Sequence, residues 1–207
     1  MSVAPDAWRF FIPLALISAI LYFSGFTPAS AVAALLALFV LYFFRDPTRV
    51  IPEEKNVVVS PGDGRVHRID TDFLDEITGE KRKRISIFLS IFNVHINRFP
   101  VSGAIEKKEI RPGKFLAAFN HMASEENAQS VVVINSDYGI VTVKQIVGLI
   151  ARRIVCNATQ GQIAVKGGRY GLIRFGSRMD VILPLTAEIS VKLKDKVHGG
   201  TSVLARL

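Results

Sequence analysis

The chain has 207 residues, 49% of them hydrophobic, and carries 26 Lys and Arg against 18 Asp and Glu, a net charge of +8. That length supports one globular domain with an appendage rather than several domains. The single cysteine, Cys156, excludes an internal disulfide and suits a reducing compartment; after Ile154 and Val155 it reads as a small core residue.

The hydrophobic excess lies at the N-terminus. From Phe10 to Phe26, and again from Pro28 to Phe44, no residue is charged. Each run is about 17 residues, the short end of what crosses a hydrocarbon core as a helix. Ser24-Gly25-Phe26-Thr27-Pro28 between them reads as a tight turn. Arg9 precedes the first run, and Arg45, Arg49 and Lys55 follow the second. The positive-inside rule then puts both ends in the cytoplasm, as a hairpin in the cell membrane. Pro13 inside the first run and the short lengths also fit a pair of buried or re-entrant helices. A cleaved signal peptide is disfavoured, because a second apolar run follows at once.

After Pro52 the texture changes. Ile85, Ile87, Leu89 and Ile91 alternate with Ser86, Phe88 and Ser90, the period of a strand. Further strands are expected at Asn56–Ser60, Ala104–Ile110, Val131–Ile134, Gly139–Val147, Gln162–Val165, Gly168–Phe175 and Met179–Pro184. Gly, Pro, Asn and Asp punctuate them at intervals of about ten residues, as in antiparallel sandwiches and barrels. One further helix is expected within Phe115–Glu126. The expected fold is mainly β, an antiparallel sandwich or barrel-like domain over residues 51–207, with a hydrophobic α-helical hairpin over 1–50.

The basic run Lys81-Arg82-Lys83-Arg84 lacks the interleaved aromatics of a nucleic-acid surface. It reads either as a patch attracted to an anionic leaflet or as the solvated tip of a hairpin after Ile77-Thr78-Gly79-Glu80. No Cys and His cluster stands at metal-ligand spacing.

Near the C-terminus, Arg174-Phe175-Gly176-Ser177-Arg178 lies between apolar runs. A Gly-Ser pair at a tight bend can turn the serine hydroxyl onto its own preceding carbonyl, although most such pairs are plain turns. A serine needs a base to take its proton and a third group to orient that base. Of four histidines, His67 reads as a strand-face residue and His198 as a turn residue. His95 and His121 rank close together as bases. Asp63, in Pro61-Gly62-Asp63-Gly64, has a turn signature that requires no chemistry.

Three segments taken together change this reading: Ser60-Pro61-Gly62-Asp63-Gly64-Arg65-Val66, the run from Phe92 through His95 to Gly103, and Gly176-Ser177. With the apolar N-terminus ending in Phe43-Phe44-Arg45-Asp46-Pro47, they resemble the short, compact form of the phosphatidylserine decarboxylase family, in family order, from about Phe43 to the end. The resemblance implies self-cleavage between Gly176 and Ser177. Ser177 attacks the Gly176 carbonyl, the amide becomes an ester, and elimination followed by loss of ammonia leaves a pyruvoyl group at residue 177. It implies a large subunit, 1–176, and a small one, 177–207; Gly168–Phe175 and Met179–Pro184, read as strands of one sheet, are expected to hold them together.

The resemblance also gives His95 the place of an active-site histidine, with Asp63 assisting it. The pyruvoyl group then serves as electron sink in converting phosphatidylserine to phosphatidylethanolamine and CO2, with His95 as proton donor and no metal. Longer members carry two histidines before the proline; here Arg98 occupies the second slot. His121, Arg98 and Asn127 are expected near the substrate, and Glu125 and Glu126 near its head group. A phospholipid substrate and a membrane are expected partners, with the catalytic domain on the cytoplasmic side, without nucleic acid, and with a homo-oligomer left open. The competing readings are a pyruvoyl decarboxylase of another amine and a non-enzymatic, membrane-anchored β-module that binds acidic lipid or a partner.

Overall fold

In a computed structural model, residues 2–117, 120, 122–149, 153–174 and 177–207 are described. The chain divides into two units, Met1–Thr48 and Arg49–Leu207.

In the first unit, helices α1 (Trp8–Phe23) and α2 (Thr27–Phe43) form a hairpin whose ends are tied by β1 (Ser2–Val3) pairing antiparallel with β2 (Arg45–Asp46). Gly25, at φ 85°, makes the reversal, and Pro28 sits in the first turn of α2, where its missing N–H costs nothing. Helix α2 buries Ser30, Ala33, Ala37 and Val40, a stripe at helical spacing. Ser18 Oγ donates to the Ser30 carbonyl at 3.0 Å and Ser30 Oγ to the Ser18 carbonyl at 2.8 Å. The helical stretch Pro5–Phe23, 19 residues, is long and apolar enough to cross a membrane; Thr27–Phe43 is shorter.

The second unit is antiparallel β throughout its named strands. They are β3 (Val57–Val59), β4 (Gly64–Leu74), β5 (Lys81–Leu89), β6 (Ile96–Arg98), β7 (Gly103–Arg111), β8 (Gln129–Ser136), β9 (Gly139–Val147), β10 (Ile154–Cys156), β11 (Ile163–Ala164), β12 (Arg169–Ile173), β13 (Ser177–Leu183), β14 (Glu188–Ile189), β15 (Lys196–Val197) and β16 (Val203–Arg206). Eight form one sheet, in the order β11-β7-β8-β9-β13-β5-β4-β15, and two three-stranded sheets run β10-β12-β6 and β14-β16-β3. The mainly β class with a helical hairpin is as the sequence pattern predicts.

Strand β13 is central, between β9 and β5, and all its residues are buried. Its Met179, Val181 and Leu183 join Ile85, Ile87 and Leu89 of β5 and Val143 and Val147 of β9 in the core. By strand alternation Ser177 shares that face, while Arg178, Asp180 and Ile182 point the other way.

Several expectations are corrected. The run Lys81–Arg84 is neither a leaflet patch nor a hairpin tip but the first half of β5. Arg82 and Arg84 are buried, Arg84 pairing with Asp70 at 2.7 Å and Arg82 donating to the Ile140 carbonyl at 2.8 Å. The tip is Asp75–Glu80, closed by Asp75 N–H to the Glu80 carbonyl and Gly79 N–H to the Asp75 carbonyl. Strands β12 and β13 lie in different sheets, so Gly168–Phe175 and Met179–Pro184 do not share one. Between Phe115 and Glu126 the only helix among the described residues is α3 (Ala123–Glu126). Cys156 is free and half-buried, packed against the core rather than within it.

Candidate active site

Ser177 opens β13, opposite Leu89 on one side and Val147 on the other. It is fully buried, and its Oγ has no hydrogen-bond partner among the described residues. A buried hydroxyl without a partner is costly; here it stands at the head of a strand whose ladders fix its position. Gly176 lies outside the described residues, as does His121.

His95 reaches the same end of the sheet by a short path. Beyond Leu89 the chain turns through Ser90 to Asn93, where Asn93 Oδ1 accepts from Ser90 N–H at 2.9 Å and from Ser90 Oγ at 2.7 Å. The Asn93 carbonyl lies 3.0 Å from His95 Nδ1, and the ring is buried. A carbonyl only accepts, so Nδ1 carries a hydrogen, which leaves Nε2 as the basic nitrogen of the neutral ring.

Asp63 is held by partners from two separate segments. Arg49 Nη2 donates to both of its oxygens, at 2.8 and 2.9 Å, and Gly199 N–H donates to Oδ1 at 2.8 Å. His198 Nδ1 lies 3.4 Å from Oδ2. Pairing of β15 with β4, Val197 opposite Gly64, carries His198 alongside this turn. Gly199 packs closely there: a Cβ on it would come to 3.1 Å from the Gly62 Cα. His198, which the sequence presents only as a turn residue, thus stands beside Asp63.

Arg98 is buried and donates to the Gly167 carbonyl at 2.9 Å. Asn127 spends its amide on the main chain: Oδ1 accepts from Leu116 N–H, and Nδ2 donates to the Leu116 and Val147 carbonyls, both at 2.8 Å. It clasps the loop after β7 to Val147, the residue opposite Ser177. Glu126 pairs with Lys114 at 2.8 Å, and Glu125 lies 3.8 Å from Arg84.

Two buried amides escaped the sequence reading. Gln145 Nε2 donates to Asn97 Oδ1 at 2.8 Å, and Asn97 Nδ2 donates to Met179 Sδ at 3.0 Å. Gln145 stands opposite Met179 in the ladder, so this chain runs along the face that carries Ser177. On the opposite face, burial would raise the Asp180 carboxyl, but the Arg178 charge and hydrogen bonds from Ser124, Ser86 and Arg178 hold it below the ordinary range. Burial lowers the amine of Lys144, which stands opposite Asp180. Among the described residues no cluster of three metal-ligating side chains occurs.

The family model for phosphatidylserine decarboxylase matches residues 36–205. The chain belongs to the phosphatidylserine decarboxylase family. A phosphatidylserine decarboxylase proenzyme of Pelobacter propionicus is 48% identical over 93% of this chain and 85% of its own length. Proteins of the same name from Burkholderia vietnamiensis and Amoebophilus asiaticus are each 43% identical, over 99% and 94% of this chain and 96% and 87% of their own lengths. Those relatives are proenzymes by name. A precursor of the phosphatidylserine decarboxylase type needs a residue that converts itself, and a buried serine hydroxyl at the head of the central strand, without a partner among the described residues, suits that requirement.

Proposed function

We propose that this chain cuts itself between Gly176 and Ser177 and then decarboxylates phosphatidylserine to phosphatidylethanolamine. The observation that carries the reading is Ser177, whose buried hydroxyl has no other partner among the described residues.

His95 Nε2 takes the proton of Ser177 Oγ as the oxygen attacks the Gly176 carbonyl. The C–N bond breaks, the proton passes to the amide nitrogen of residue 177, and an ester links the two residues. Loss of the Cα proton then expels the Gly176 carboxylate, and addition of water with release of ammonia leaves a ketone at residue 177. That pyruvoyl group supplies an electron sink for the amine-bearing carbon as CO2 departs. His95, held by the Asn93 carbonyl, returns a proton to that carbon. Asp63 acts on the site through its turn: with Arg49, Gly199 and His198 it holds Gly62 in place, where a Cβ would meet Met179 Sδ at 3.0 Å.

The helical hairpin keeps the catalytic unit at the bilayer that contains its substrate, and Arg9, Arg45 and Arg49 set both ends on the cytoplasmic side. The small fragment, 177–207, stays bound because β13 pairs with β5 and β9, β15 with β4, and β16 with β3.

Intact mass measurement of the denatured protein tests the reading. Two fragments that meet at 176–177, the smaller lighter by one ammonia than a serine-ended peptide, are expected. A single full-length mass from folded protein overturns self-processing and favours a lipid-binding β-module.

A further inference from the structure

The face of β13 turned away from Ser177 holds charges that the proposed chemistry does not use. Arg178 and Asp180 are wholly buried and joined Nε to Oδ1 at 2.8 Å. Arg178 Nη2 donates to Ser86 Oγ on β5 at 2.7 Å, and Nη1 lies 3.4 Å from the Asn120 carbonyl. Ser124 Oγ, in α3, donates to Asp180 Oδ2 at 2.5 Å. One cluster thus joins β5, β13 and the segment running from Asn120 into α3.

We propose that Arg178, Asp180, Ser86 and Ser124 are positioning residues that lock the register of β13 and hold that segment against it, so that residue 177 keeps its place when the chain is severed on its N-terminal side. This rests on the self-cleavage reading. Before the cut, residue 177 is tethered on both sides; afterwards it is the free end of a fragment, where strands fray. A slip of one residue would turn Arg178 and Asp180 into the face occupied by Leu89, Ile87 and Val143 and would move residue 177 to the other face. Unpaired charges are strongly disfavoured in such a core. A slip of two keeps the faces but draws Arg178 away from Ser86 and Asp180 away from Ser124. Only the observed register satisfies all four groups.

The test uses the full chain carrying Ser86→Ala, Ser124→Ala, or both; each removes one hydroxyl and leaves the ion pair in place. Amide hydrogen exchange is followed over 177–183 and 123–127, with kcat and KM of the cleaved fraction. In the double variant, exchange in those two segments should accelerate about tenfold or more, and kcat should fall about fivefold or more with KM within about twofold. A second variant, Arg178→Met with Asp180→Leu, replaces the pair by apolar groups of similar size, a change that leaves many proteins as stable as before. It should fold, yet lose kcat. Parental exchange and parental kcat in either variant overturn the lock. Should the parent prove uncut, the functional reading fails, while the exchange comparison still decides the lock.

Discussion

Helix α1 and strand β13 stand at opposite extremes: no residue of α1 is buried, and every residue of β13 is. In α1, Ile12, Leu16, Ile17, Ile20 and Phe23 present large apolar side chains outward; in β13, Met179, Val181 and Leu183 are enclosed by β5 and β9. The strand gains its hydrophobic stabilisation from the chain itself, whereas the helix leaves that surface to be covered by something apolar from outside. The difference separates a surface that awaits an outside partner from one completed within the fold, and variants at each extreme should separate the two.

The largest expected effect is at Ser177. Ser177→Ala should leave β13 packed as before yet give one uncleaved mass and no measurable decarboxylation. His95→Gln should slow self-cleavage or turnover by about 10²–10⁴-fold, read from a time course of fragment appearance and from product formation; parental rates of both would remove His95 from the mechanism. Packing comes next. Met179→Ala should cost about 2–5 kcal/mol in thermal or denaturant unfolding, while Ile20→Ala should change the unfolding of the same detergent-solubilised protein by about 0.5 kcal/mol or less. Equal losses at the two positions would erase the contrast.

The smallest effect is in acid. The Asp180 carboxyl is held below its ordinary range in the folded protein, so its contribution is complete above the carboxylate range of the unfolded chain and is lost as pH falls through and below about 4. On top of the pH-independent loss from leaving the buried Arg178 charge unpaired, Asp180→Asn should therefore flatten the acid limb of a stability-against-pH curve and leave the slope near neutrality alone.

Much of this was legible in the sequence. Gly139–Val147 emerges with its predicted ends because alternation and turn residues agree there, and β7 and β8 extend their predicted runs by one or two residues. Strand β4 was legible only around His67, because beyond Val66 its polar and apolar residues are exposed or half-exposed on both faces, which erases the alternation. The Lys81–Arg84 run misled because the acids that neutralise it, Asp70 and Asp72, lie on the neighbouring strand. At the candidate site, Gly176-Ser177 is a local mark of Ser177, whereas only the family resemblance separates His95 from His121. Asn97 with Gln145, and Ser86 with Arg178, are joined across 48 and 92 residues, so nothing local marks them.

The way β13, β15 and β16 are interleaved with β5, β9, β4 and β3 makes the cut a change in folding order. Uncut, the chain assembles in a first-order process, and the last 31 residues are always at hand. Once cut and unfolded, the two pieces can regain the sheets only by meeting in solution, so recovery becomes second-order and dependent on concentration. The precursor is in this sense the template for its own product: dilution should leave refolding of the Ser177→Ala chain unchanged and abolish that of the mature protein.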